Sequence, residues 1–120
     1  MRRVPAFDFD GFRAAFEARD VDRWLAYYAE DAVWVEYRPT APPRAPHIMR
    51  GREGIGEFLR DVADSPLEIV LENVVVGDGR AAFTCVVTFS DNRRIIENTI
   101  VDFGERGVTH QIDVEAWDPQ

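Results

Sequence analysis

The chain is poor in the residues that build cross-linked or metal-centred sites: its 120 residues include one cysteine, Cys85, and two histidines, His47 and His110. A lone cysteine inside an apolar run excludes an intrachain disulfide framework and removes cysteine-based zinc sites. Positive charge is also short. Fourteen basic residues stand against 22 acidic ones, for a net charge of −8, so the electrostatic footprint of a nucleic-acid or anionic-membrane binder is missing. No apolar run approaches the ~18 residues that suggest a membrane span, and no cationic-then-apolar leader opens the chain. The expectation is a cytoplasmic protein with neither nucleic acid nor membrane as partner. Gly51, Gly54 and Gly56 match no nucleotide-binding fingerprint in spacing or setting. Ser65 and Ser90 sit in turn contexts with no histidine suitably placed, so a hydrolase triad has no support. Nothing in the residues calls for a metal or a cofactor.

What is present is a long β-rich half. Residues 80–117 read RAAFTCVVTFS, a DNR turn, RIIENTIVDF, a GERG turn and VTHQIDVEAW, the pattern of an antiparallel meander. Side chains alternate across a strand. One set is Cys85, Val87 and Phe89, then Ile95, Glu97, Thr99 and Val101, then Gln111, Asp113, Glu115 and Trp117. The other holds Val86, Ile96, Ile100, Ile112 and Val114, together with His110. Both sets carry apolar residues, so both faces need a cover. Helices earlier in the chain serve the first. The second is expected to meet another copy of the protein, giving a homodimer through the outer sheet face.

Taken from the start, Met1–Asp8 reads as a short arm. Phe9, Phe12 and Phe16 then make an aromatic stripe on a helix running to about Arg19 with Asp8 as cap. Asp20 precedes a second helix, Val21 to about Ala29, carrying Trp24, Leu25 and Tyr28. AVWVEY, residues 32–37, is a strand. RPTAPPRAPHIMRG, with Pro39, Pro42, Pro43 and Pro46, reads as an irregular excursion of the kind often used functionally. A third helix is expected over Arg52–Val62, and a strand over LEIVLENVVV before the Gly77-Asp78-Gly79 turn. The length suits a single domain, residues 1–120.

The element order, together with FEARDVDRWLAYYAEDAVW, RGREGIGEFL and VTHQIDVEAWDP, resembles the NTF2-like superfamily and its SnoaL-like domains, relatives of the ketosteroid isomerase and limonene epoxide hydrolase folds. That resemblance implies an α+β cone: three helices from the N-terminal half packed on a strongly curved, mixed but mainly antiparallel sheet, with a pocket between them. Aligned with the isomerases, AEDAVWVEY places the general-base aspartate at Glu36. Their helix tyrosine falls on Phe12, and their sheet aspartate, a carboxylic acid kept neutral to donate a hydrogen bond, falls on Val101. Aligned with the epoxide hydrolases, VTHQID places the water-activating aspartate at Asp113, while their partner arginine and second aspartate fall within the apolar CVVTF stretch. The resemblance therefore implies the scaffold and one carboxylate from each mechanism, with neither mechanism whole.

The candidate catalytic residues are Glu36, Asp113 and His47. Each of the two carboxyls shares a strand face with aromatic groups, where desolvation raises its pKa toward neutrality. His47, between Pro46 and Ile48, stands where this fold has its pocket mouth. Glu97 and Glu115 share Asp113's face and read as solvated rim positions. A planar apolar ligand would be clasped by Tyr28, Trp34, Met49, Phe58 and Phe89. Phe12, Cys85, Val87, Val101, Gln111 and Trp117 complete the expected lining. The functional expectation is a cofactor-independent lyase, cyclase or isomerase using carboxylate acid–base chemistry on a small apolar carbonyl compound. The alternative is a non-catalytic dimeric module that binds a small hydrophobic molecule or serves dimerisation alone.

Overall fold

The computed structural model describes residues 7–119; the arm expected over Met1–Asp8 lies outside them except for its last two residues. The aromatic stripe does form a helix, α1 (Phe9–Ala18), with Phe9, Phe12, Ala15 and Phe16 buried at helical spacing. Asp8 occupies the cap position without a side-chain capping bond, whereas Asp20 accepts the Arg23 N–H and caps α2 (Val21–Ala26).

Helix α2 stops three residues short of the expected end, because β1 (Tyr28–Tyr37) begins at once. The Val108 N–H donates to the Tyr27 carbonyl at 2.8 Å, and Tyr28 pairs with Val108. Strand pairing with a distant segment thus overrides the local helical pattern, and Tyr28 is a strand residue rather than a helical one. The proline-rich excursion holds a second correction. Beyond Pro46 every residue has its N–H, and His47–Arg50 forms β2, paired antiparallel with β1 from Val33↔Arg50 to Glu36↔His47.

Helix α3 (Gly51–Ala63) follows, burying Ile55 and Leu59. Strands β3 (Leu67–Val76), β4 (Arg80–Phe89), β5 (Arg94–Gly104) and β6 (Gly107–Trp117) complete the chain. The six strands lie in the order β2-β1-β6-β5-β4-β3. The expected meander is its centre. Among the described residues only β1 and β6 run parallel; every other pairing of these strands is antiparallel. Gly107 is what lets β6 start against α2: its φ is +94°, and a Cβ there would collide with the Tyr27 carbonyl.

The sheet's two faces separate as the alternation requires. Cys85, Val87, Thr99, Val101, Gln111 and Asp113 are buried beneath the helices. Val114, at 58% exposure, with Ile100 and Val70, lies on the outer face. Among the described residues no helix is long and apolar enough to cross a membrane.

Candidate active site

Between the curved sheet and the three helices lies a cavity of about 270 Å³. Phe16, Trp24, Phe58 and Val62 wall it from the helices, and Leu67, Ile69, Cys85, Val87, Phe89, Ile95 and Trp117 from the sheet. Into this apolar lining project Glu36, Glu97 and Glu115, with Arg38 beside them.

The register of three strands explains why the carboxyls meet. Glu36 on β1 lies opposite Asp113 on parallel β6. Two residues along the same face of β6 comes Glu115, which faces Glu97 across the antiparallel β5–β6 pair. Neighbouring strands sit about 4.8 Å apart, so one patch of sheet collects four acids. One oxygen from each of Glu36, Glu97, Asp113 and Glu115 lies within 4.8 Å of all the others. Glu36 is 2% exposed and Asp113 fully buried.

Each acid is held by named partners. The Trp34 indole N–H donates to Asp113 Oδ2 at 2.7 Å, and the Trp117 indole N–H to Glu115 Oε1 at 2.9 Å. The other oxygens of these two carboxyls, Asp113 Oδ1 and Glu115 Oε2, are buried without a donor among the described residues. Glu36 Oε1 faces His47 Nδ1 at 3.1 Å and an Arg38 guanidinium nitrogen at 3.7 Å. Glu115 comes within hydrogen-bonding reach of both Glu36 and Asp113.

Crowded in this way, the acids cannot all ionise. Burial, then the contact with Glu115 and the charges of Glu115 and Glu97, push Glu36 up to about 9, with Arg38 acting the other way. Burial and then the Glu36 charge push Asp113 up to about 10 against the Trp34 N–H, which favours its ionised form. Glu97 is held well above the usual carboxylate range, by burial first and then by Asp113 and Glu115. His47 moves down, through burial and then the Arg38 charge, and is neutral at neutral pH. Burial likewise pushes the Cys85 thiol up, which leaves it un-ionised and a poor nucleophile.

Of the residues expected to form the site, Glu36, Trp34, Phe58, Cys85, Val87, Phe89 and Trp117 line the cavity. Asp113 reaches it through Glu36 and Glu115. His47, on β2, touches Glu36 from the sheet edge and packs its ring edge-on against Phe58. Phe12, Tyr28, Met49, Val101 and Gln111 are core residues outside the lining. The Tyr28 hydroxyl donates to Gln111 Oε1, and its ring stacks on Trp34. Glu97 and Glu115 overturn the expectation of a solvated rim: they are half-buried in the carboxyl cluster. The missed signal was the GERG turn, whose hairpin places residue 97 opposite residue 115. Arg38, the cationic neighbour of Glu36, also went unread.

A family model described as a SnoaL-like domain matches residues 9–114. The chain belongs to the SnoaL-like family. Solved structures agree on the architecture of this SnoaL-like chain. An NTF2-like protein of unknown function from Mesorhizobium loti superposes with a TM-score of 0.77 at 16% identity, covering 90% of this chain and 87% of that one. A protein assigned provisionally as a ketosteroid isomerase, from Kribbella flavida, gives 0.72 at 16% identity over 93% and 78%. One assigned provisionally as a SnoaL-like polyketide cyclase, from Shewanella denitrificans, gives 0.67 at 18% identity over 90% and 87%. At these identities the likeness establishes the α+β cone of the NTF2-like fold. No curated protein matches the sequence.

Proposed function

We propose that this SnoaL-like chain takes a small, mostly apolar carbonyl compound into its cavity and moves a proton on it with buried carboxyls, as a cofactor-independent lyase, cyclase or isomerase. The observation that carries the reading is the set of four mutually close acids at the wall of an aromatic cavity. Buried acids with pKa values near or above neutrality are what general acid–base chemistry needs. Other chemistries have less support: the chain contains no lysine for a Schiff base, and Cys85 is held as a thiol. The cavity falls just below the ~300–1,000 Å³ typical of drug-sized ligands, so the substrate is small.

Roles follow from position. Glu36 has the Arg38 cation and His47 at its oxygen, so it carries the ionised form best at the cavity wall and acts as base. Glu97, kept neutral, donates its O–H to the carbonyl oxygen as enolate charge develops. Asp113 is walled off from the cavity and acts on Glu36 and Glu115 by charge and by sharing a proton. The names of the isomerase-like and cyclase-like structural neighbours accord with this class of chemistry. A buried free thiol fits a reducing, cytoplasmic setting.

β-Tetralone, a small aromatic ketone with an acidic α-carbon, serves as probe. Wild-type protein is expected to speed deuterium uptake from D2O at that carbon, followed by proton NMR, and Glu36→Gln to lower the rate roughly a hundredfold. A wild-type rate equal to that of buffer contradicts the reading. We also infer that two copies pair through the outer sheet face, where Val70, Ile100 and Val114 are exposed. Phe12 and Val101, both buried core residues, stand where the isomerases carry their oxyanion donors, and this favours the second reading, a dimeric module that binds its ligand without turnover.

A further inference from the structure

A buried set of carboxyls that exchanges protons with a substrate must also exchange them with water, and Asp113, fully buried, has no direct way to do so. Glu36 is only 2% exposed at its side chain. His47 differs from Glu36 and Asp113: its side chain is 35% exposed while its Nδ1 lies 3.1 Å from Glu36 Oε1. Strand β2, which the proline-rich excursion delivers to the sheet edge, places it opposite Glu36 in register. Phe58 on α3 holds the ring edge-on. Among the described residues the His47 Nε2 has no hydrogen-bond partner, and it is not sealed from water. We propose that His47 is the proton relay between solvent and the buried carboxyls, acting through Glu36. This rests on the proton-transfer reading above.

The step balances at each atom. With Glu36 neutral, its O–H donates to His47 Nδ1, and Nε2 carries the ring's own proton. Transfer of the Glu36 proton to Nδ1 gives an imidazolium beside a carboxylate. Loss of the Nε2 proton to water leaves neutral histidine with an Nδ1–H that donates to the Glu36 carboxylate. The reverse sequence returns a proton from water. Nothing is oxidised or reduced; one proton leaves the cluster in the forward pass and one enters in the reverse, and two passes in the same direction need the ring to return to its Nε2–H tautomer between them. The groups facing the imidazole are Glu36 and Arg38 on β1, Glu115 on β6 and the Phe58 ring on α3. Burial and then the Arg38 charge favour the neutral ring between transfers, the state a relay needs to accept the next proton.

Line widths of the Glu36 and Asp113 side-chain carboxyl carbons across an NMR pH titration test the relay without a substrate. Wild-type lines are expected to stay sharp and move as a fast-exchange average. In His47→Phe, which keeps a ring against Phe58, both lines are expected to broaden through their midpoints as proton exchange slows roughly tenfold or more. Added imidazole should sharpen them again. His47→Ala should behave alike and be rescued more readily, because it leaves room for the added ring. Sharp lines in both variants, broad lines already in the wild type, or broadening that imidazole does not relieve would each overturn the relay. Deuterium uptake into β-tetralone is a separate readout: its failure counts against the enzymatic reading and leaves the line-width result to decide the relay.

Discussion

Glu36 shows how a residue's neighbours decide its chemistry. An exposed glutamate titrates near pH 4 and is ionised across the physiological range, but this one is buried against other acids and is pushed up to about 9. The proposed base can act only when ionised, so the rate of β-tetralone exchange is expected to climb with pH through neutrality and level off near 9. A profile that is flat from pH 6 to 9 would remove Glu36 from that role. Trp34 tunes the set from the other side, since its N–H favours the ionised Asp113. Trp34→Phe keeps most of the ring and loses that donor, and is expected to raise Asp113 further. A carboxyl-carbon titration reads the direction, and a downward shift would contradict the assignment.

At the level of elements, the junction of α2, β1 and β6 carries the arrangement. The Glu36–Asp113 register depends on β1 running parallel to β6, and Gly107 lets β6 pass the Tyr27 carbonyl. Gly107→Ala meets both a left-handed φ and a collision, and is expected to cost about 1–3 kcal/mol, measured by urea unfolding; an unchanged midpoint would show that the junction can relax. The meander could be read from sequence because β-branched runs and short polar turns are local signals. The inward parity of Asp113 followed directly. Strand β2 was hidden because four residues beside prolines carry little periodicity, and its pairing with β1 is tertiary. Tyr28 was misplaced for the same reason, since its partner Val108 is 80 residues away. Glu97 and Glu115 could have been found: a hairpin closing at GERG puts them face to face, whereas treating each strand alone sent them to a rim.

For the molecule as a whole, charge and exposed apolar surface make separate demands. Val114, Ile100 and Val70 lie uncovered on the outer face, so the chain is expected to be a dimer by light scattering at micromolar concentration, and Ile100→Asp to yield monomer or aggregate. A wild-type monomer would end that inference. The buried acids set the pH dependence of stability. Glu36, Glu97 and Asp113 all have raised folded-state pKa values, so the native state holds more protons than the unfolded one above pH 4. Stability is then full below the ordinary carboxylate range and is lost as pH rises toward 9 or 10. Urea midpoints should be lower at pH 9 than at pH 6. The central claim is that Glu36 and Asp113 titrate as one coupled pair within the carboxyl cluster, and an NMR titration of the Asp113 carboxyl carbon in wild type and Glu36→Gln tests it most directly. The expected result is a wild-type midpoint well above the usual aspartate range that falls when the Glu36 charge is removed. A midpoint near pH 4 in the wild type, or one that Glu36→Gln leaves in place, would contradict it.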